Sequence, residues 1–252
     1  MRNIRLIIEY DGSAYYGWQC QKDGPSIQAA ILKAIKTLTG EEVRLRAAGR
    51  TDAGVHALGQ VANFFTASTI PGDKFALALN QHLPEDIAIR ASAEVAPNFD
   101  AKHDSKGKKY LYRIYNAAIP SPLERQRAYF IRGQKLNVAA MQEAATYLIG
   151  EHNFESFRSV HCDAPHAFRN IFSIDISETY IEKPISGRLI EIVVKGNAFC
   201  RHMVRIISGT LIEIGRGRYQ PAHMAAILAA EKRSAAGITA EPQGLYLCEV
   251  YY

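Results

Sequence analysis

Apolar residues along this 252-residue chain switch between a period of two and a period near 3.6, and they do so twice in the same order. Ile4, Leu6, Ile8 and Tyr10 alternate with Asn3, Arg5, Ile7 and Glu9, the pattern of a strand with one apolar face. Ser26 can cap a helix whose apolar positions are Ile27, Ala30, Ile31, Ala34, Ile35 and Leu38, and Gly40 ends it. Val43, Leu45 and Ala47 begin a second strand, and Gln60 to Phe65 form a third. A short helix near Asp73 to Leu83 is stopped by Pro84, and Ile87 to Ala93 supplies a fourth strand. The order βαββαβ is that of a split βαβ, ferredoxin-like unit.

The second half repeats it. "KKYLYRIYN" reads as a strand, and Asn137 caps a helix with Met141, Ala144, Ala145, Leu148 and Ile149 on one face, ended by Gly150. Phe172 to Ile176 and Leu189 to Val194 pair across a turn at Pro184 to Gly187. Helices follow at about Arg201 to Ile214 and about Pro221 to Ala230, and "LYLCEVYY" closes the chain as a strand. The expected fold is α/β (α+β): two related βαββαβ ferredoxin-like halves with mainly antiparallel sheets and a central cleft. The expected domains are 1–100 and 101–252, with the junction near Pro97 to Lys106. The symmetry is one of element order, without a residue-level repeat.

Apolar content of 48% with 22% charged residues is that of a globular chain. "MRNIRLIIEY" alternates charge and hydrophobe, so it reads as a strand and not a signal peptide. No apolar run reaches the length of a membrane span. Cys20, Cys162, Cys200 and Cys248 are scattered, as free thiols of a cytoplasmic protein are. The formal charge is +5, unevenly spread: Lys102 to Lys135 holds nine Lys or Arg against Asp104 and Glu124. Such a stretch favours a polyanion as partner.

Several residues stand out against this background. "GRTDAGVHALGQ", residues 49–60, places Asp52 two residues from Arg50, with His56 beyond and Gly49, Gly54 and Gly59 as punctuation. Ordinary turn chemistry accounts for Asp and Gly here, and so does an active-site loop. Arg201 and Arg205 sit one turn apart near a helix amino end, where the dipole disfavours cations. They are either solvated or matched to a phosphate or a buried carboxylate. In "SKGKKYLYRIYN", Lys106, Lys108, Lys109 and Arg113 interleave with Tyr110, Tyr112 and Tyr115. Tyr110 and Tyr112 share a sheet face, either as core or as a base-stacking platform. His152, His161, Cys162 and His166 lie close together, but their spacing matches no closed zinc pattern, and no metal is expected. Glycine loops of the P-loop and dinucleotide types and a nucleophile elbow are absent from the sequence.

The ordered set "EYDGSAYYGWQCQ", "GRTDAGVHALGQVANF", "NFDAKHDSKGKKYLYRIYN", "HNFESFRS", "GNAFCRHMVRIISGTLIEIGRG" and "TAEPQGLYL" resembles the tRNA pseudouridine synthases of the TruA family from end to end. Two departures are small: the family often has His or Asn and then Arg within the segment Phe99 to Lys102, and Pro where this chain has Ile238. The resemblance implies isomerisation of uridine to pseudouridine at positions 38, 39 and 40 of the tRNA anticodon stem-loop. It implies a homodimer, no cofactor, and no membrane or nucleotide-cofactor partner. On this match Asp52 is the catalytic carboxylate, and Arg50 and Arg205 hold it ionised and oriented. Tyr110 stacks on the target base, and His202 and Leu245 join it in substrate binding.

The chemistry suits a single acid. The C1′–N1 bond breaks, the uracil turns, and C1′ joins C5. Because the base stays trapped, no second carboxylate has to release a leaving group, unlike the usual glycosidase pair. The acid could attack the sugar, attack the base or abstract a ribose proton. Two rival readings are a catalytically silent RNA-binding protein, which need not keep Arg50 and Asp52, and a synthase that reaches other uridines.

Overall fold

The computed structural model describes residues 1–133, 135–181 and 187–252. In chain order these form β1 (Arg2–Tyr10), α1 (Ile27–Thr39), β2 (Arg46–Ala47), β3 (His56–Thr66), α2 (Phe75–Asn80) and β4 (Ile87–Val95). There follow β5 (Gly107–Ala117), β6 (Tyr129–Arg132), α3 (Val138–Thr146), β7 (Gly150–Asn153), β8 (Phe168–Ile181) and β9 (Gly187–Gly196). The chain ends with α4 (Met203–Gly215), α5 (His223–Ala230) and β10 (Leu245–Tyr251). It divides into two compact units, residues 1–106 with 246–252, and residues 107–245. The closing strand, expected in the second domain, therefore counts with the first. Its pairing with β3 is a contact between residues 190 apart in sequence, which no local pattern encodes.

In the first unit β4, β1 and β3 lie side by side, antiparallel, with the short β2 antiparallel on β3. This is the 4-1-3-2 order of a split βαβ unit. The alternation read in β1 is the burial pattern found: Ile4, Leu6, Ile8 and Tyr10 are buried. The Ser26 hydroxyl accepts the Ala29 amide at 3.3 Å, and Gly40, at φ +75°, donates to Lys36 O. Between these caps Ile27, Ile31, Ala34 and Ile35 are buried, with Ala30 and Leu38 at the rim. Two elements differ from expectation. The second strand keeps only Arg46 and Ala47, and the third begins four residues earlier, at His56. Both β1 and β10 pair with that early part of β3, Tyr10 opposite Ala57 and Tyr246 opposite His56.

In the second unit β5, β9, β8 and β7 form an antiparallel series, and β6 runs parallel to β5. Of the turn expected at Pro184 to Gly187, only Gly187 lies among the described residues. Strands β6 and β7 carry four residues each, too few for periodicity to reveal. The Asn137 side chain caps α3 through the Ala140 amide at 3.1 Å. Helix α4 begins at Met203, so Arg201 precedes it and only Arg205 lies in its first turn. Apart from Arg205 every residue of α4 is buried. Among the described residues no helix is long and apolar enough to cross a membrane.

Candidate functional site

The loop carrying Arg50, Thr51 and Asp52 is held from several directions within the first unit. On its leading side Ala48 N donates to Val61 O at 2.8 Å, and the Gln60 side-chain amide donates to Gly49 O at 2.8 Å. At its centre Trp18 N donates to Thr51 O at 3.0 Å, and the Tyr10 and Thr51 hydroxyls lie 2.8 Å apart. On its trailing side Val55 N donates to Asp52 O at 3.2 Å, closing a turn in which Gly54 takes φ +75°. Gly54 N donates to Tyr15 O at 3.3 Å. These bonds leave Asp52 half-buried and Arg50 exposed, flanking a buried Thr51.

Much of that support comes from residues 10–18, between β1 and α1. A Cβ on Gly12 would stand 2.0 Å from Val55 O, and one on Gly17 would stand 2.5 Å from Thr51 O and 3.0 Å from the Asp52 carbonyl carbon. The backbones touch, and only glycine permits it. The carbonyls of Gly17 and Trp18 meanwhile accept the Ile27 and Gln28 amides, so one loop joins the amino end of α1 to the turn of Asp52. Tyr10 is 3% exposed, and burial pushes its phenol above the usual range, which keeps the Thr51 contact a neutral hydrogen bond. His56 is also buried: its Nδ1 accepts the Gly12 amide at 3.1 Å, and its ring stacks on Tyr246 at 4.6 Å. Asp11 Oδ1 lies 3.2 Å from the same nitrogen.

These residues were not singled out in the sequence, although "EYDGSAYYGWQCQ" and His56 drew attention. Local spacing cannot report that Gly12 and Gly17 touch a turn 34 to 43 residues away. The structure also gives Gly54 a reason independent of any ligand, a left-handed conformation.

The other expected site residues lie in the second unit. Tyr110, on β5, is 9% exposed and meets Phe199 edge-on with centroids 5.0 Å apart. Phe199 belongs to the connection from β9 into α4, which His202 completes at φ +63° as the residue before the helix. Arg205 is half-buried: its Nε donates to Ala240 O at 2.7 Å, and its own carbonyl accepts Ala240 N at 3.1 Å. Leu245 is 6% exposed and follows the short Pro242–Gly244 turn.

Three residues whose roles the sequence left open are placed by the structure. Tyr112 shares a face with Tyr110 but is fully buried, and its hydroxyl donates to Glu241 O at 2.7 Å. Burial raises its phenol well above the ordinary range. Tyr112 is therefore part of the core and does not form a two-ring platform with Tyr110. Arg113 is not a phosphate-seeking cation, since Glu191 lies 3.3 Å and Glu124 3.9 Å from its guanidinium. Arg201 is exposed and its Nη1 donates to His161 O at 3.3 Å. Cys162 Sγ accepts the Arg201 amide, His152 Nε2 lies 2.9 Å from Ile149 O, and His166 lies 3.4 Å from Arg169. Among the described residues no cluster of His, Cys, Asp or Glu could hold a metal ion.

The family model for tRNA pseudouridine synthase matches residues 6–104 and 144–252. The tRNA pseudouridine synthase A of Acetivibrio thermocellus is 48% identical over 252 residues, the whole of both chains. That of Ruminiclostridium cellulolyticum is 46% identical, again over both full lengths, and that of Myxococcus xanthus is 44% identical over all of this chain and 92% of its own. The chain belongs to the tRNA pseudouridine synthase family, and as such it is an isomerase acting on tRNA.

Proposed function

We propose that this chain converts uridine to pseudouridine at positions 38, 39 and 40 of the tRNA anticodon stem-loop, as a cytoplasmic homodimer without a cofactor. Asp52 is the catalytic carboxylate, Arg50 and Arg205 keep it ionised and aimed, Tyr110 stacks on the uracil, and His202 and Leu245 contact the substrate. The observation that carries this reading is the number of bonds spent on one short turn. Backbone and side-chain contacts from Tyr10, Tyr15, Trp18 and Gln60 fix residues 49–54, yet the Asp52 side chain is only half-buried. Fixing a functional group in advance lowers the cost of reaching the reactive geometry.

The reaction needs little else. The target lies within a stem-loop, so its nucleotide must leave the stack to reach a carboxylate set in a protein loop. Stacking on Tyr110 offsets part of that cost, about 1–3 kcal/mol per base. Within the site the C1′–N1 bond breaks, the uracil turns, C1′ bonds to C5, and the proton lost from C5 is balanced by one gained at N1. No water enters the product. Mapping pseudouridine in tRNA incubated with the purified protein tests the assignment directly. Modification at positions 38 to 40 is expected, and modification confined to other uridines would assign a different specificity.

Two further results are expected. A tRNA is large beside one 28.0 kDa protomer, and a symmetric pair offers two basic surfaces to it. Light scattering should therefore give twice the chain mass, and a fully active monomer would refute the dimer. Affinity for tRNA should fall steeply with salt, with a slope of about 0.7–0.9 per phosphate neutralised. Lys106 is exposed and Lys108 and Lys109 are half-buried at the start of β5, so replacing the three with Gln should lower the slope. A binding constant flat from low to moderate salt would contradict the electrostatic account.

A further inference from the structure

Residues 237–241 run along α4 as a strap, and their attachment is unusually close. A Cβ on Gly209 would stand 2.0 Å from Ile238 O, and one on Gly237 would stand 2.8 Å from Thr210 Cα. The Thr210 hydroxyl donates to Ile206 O at 2.8 Å and accepts the Gly237 amide at 3.0 Å. At the far end Ala240 makes two bonds with one residue, giving its amide to Arg205 O and receiving Arg205 Nε at its own carbonyl. The next carbonyl, Glu241 O, receives the Tyr112 hydroxyl at 2.7 Å. A Cβ on Gly244 would stand 2.8 Å from the Tyr112 ring, so the turn after the strap is seated on the same side chain.

From this arrangement we infer that Tyr112 is a positioning residue for Arg205, acting through the Ala240–Glu241 backbone. A guanidinium is planar, so a bond at Nε restricts the plane in which its other nitrogens lie. Ala240 O makes that bond, and the carbonyl next to it, Glu241 O, is held by the Tyr112 hydroxyl from β5, the strand that also carries Tyr110. This inference rests on the reading of Arg205 as a partner of the catalytic acid. A core tyrosine would need only its ring here, whereas a positioning tyrosine needs its hydroxyl.

Tyr112→Phe keeps the ring and removes the bond. Single-turnover pseudouridine formation per bound tRNA should slow by about tenfold to a hundredfold, the scale of a misplaced catalytic group. The tRNA dissociation constant should stay within about twofold, since neither Tyr112 nor the strap is assigned a contact with RNA. In an Arg205→Ala background the same substitution should cost no further rate, because its only route to the chemistry is gone. Thr210→Val, which releases the other end of the strap, carries the test should Tyr112→Phe fail to fold. A wild-type rate per folded molecule, or losses that multiply in the double variant, would overturn the inference. Should Arg205→Ala itself react at the wild-type rate, the assignment of Arg205 is what fails, and the strap has no catalytic purpose.

Discussion

Asp52→Asn and Asp52→Ala are expected to fold, to bind tRNA and to form no pseudouridine above background. The fold should survive because the backbone itself closes the turn: Val55 N bonds to the Asp52 carbonyl, and Gly54 supplies the left-handed residue. Asparagine also preserves the volume of the aspartate, so the Asn variant removes charge and basicity while disturbing little else. No neighbour can take over. Arg50 has no acceptor and does not lose its proton, and His56 is buried with Nδ1 committed to the Gly12 amide. The measurement is pseudouridine formed per bound tRNA in a single turnover, with unfolding midpoints recorded alongside. Conversion by Asp52→Ala at an appreciable fraction of the normal rate would mean that residues 49–54 form a turn and nothing more. Another residue would then carry the chemistry, and the assignment of Asp52 would fail.

What could be read in the sequence, and what could not, divides by distance along the chain. Helix α1 was legible because everything that defines it is local: the Ser26 cap, the buried Ile27, Ile31 and Ile35, and the Gly40 stop. The parity of β5 was legible too, since side chains alternate and Tyr110 and Tyr112 must share a face. Which of the two rings would be covered was not legible. That is decided by Glu241 and Gly244, about 130 residues further on. The same limit hid the true start of β3, where β10 pairs with His56 and Ala57. It also hid the pairing of the closing strand with β3. For the proposed site, Asp52 stood out beside Arg50 in a glycine-punctuated turn, and Arg205 as a cation near a helix amino end. The glycines that hold the acid in place looked like any other loop glycines, and only the backbone contacts distinguish them.

Gly17→Ala should damage both stability and turnover, and Gly40→Ala separates the reasons. Both glycines have positive φ, +96° and +75°, so each alanine suffers the backbone strain of that region, about 1–2 kcal/mol. Gly40 ends α1 with nothing within 4 Å of its missing Cβ. Its alanine variant should therefore show that strain alone, as a lower urea midpoint with an unchanged rate per folded molecule. At Gly17 the methyl would stand 2.5 Å from Thr51 O and 3.1 Å from Ala53 N. Those atoms are backbone and cannot rotate aside, so the loop must move bodily. Displacement also strains the bond from Trp18 N to Thr51 O, the very contact that seats the turn. Overpacking adds about 1–3 kcal/mol to the strain, for a total loss of roughly 2–5 kcal/mol. Because the moving segment carries Asp52, the single-turnover rate of the folded fraction should fall on the order of a hundredfold. Equal rates for the two alanine variants would show that the loop tolerates displacement. The close packing of residues 12–17 against residues 51–55 would then serve folding and not the position of the acid.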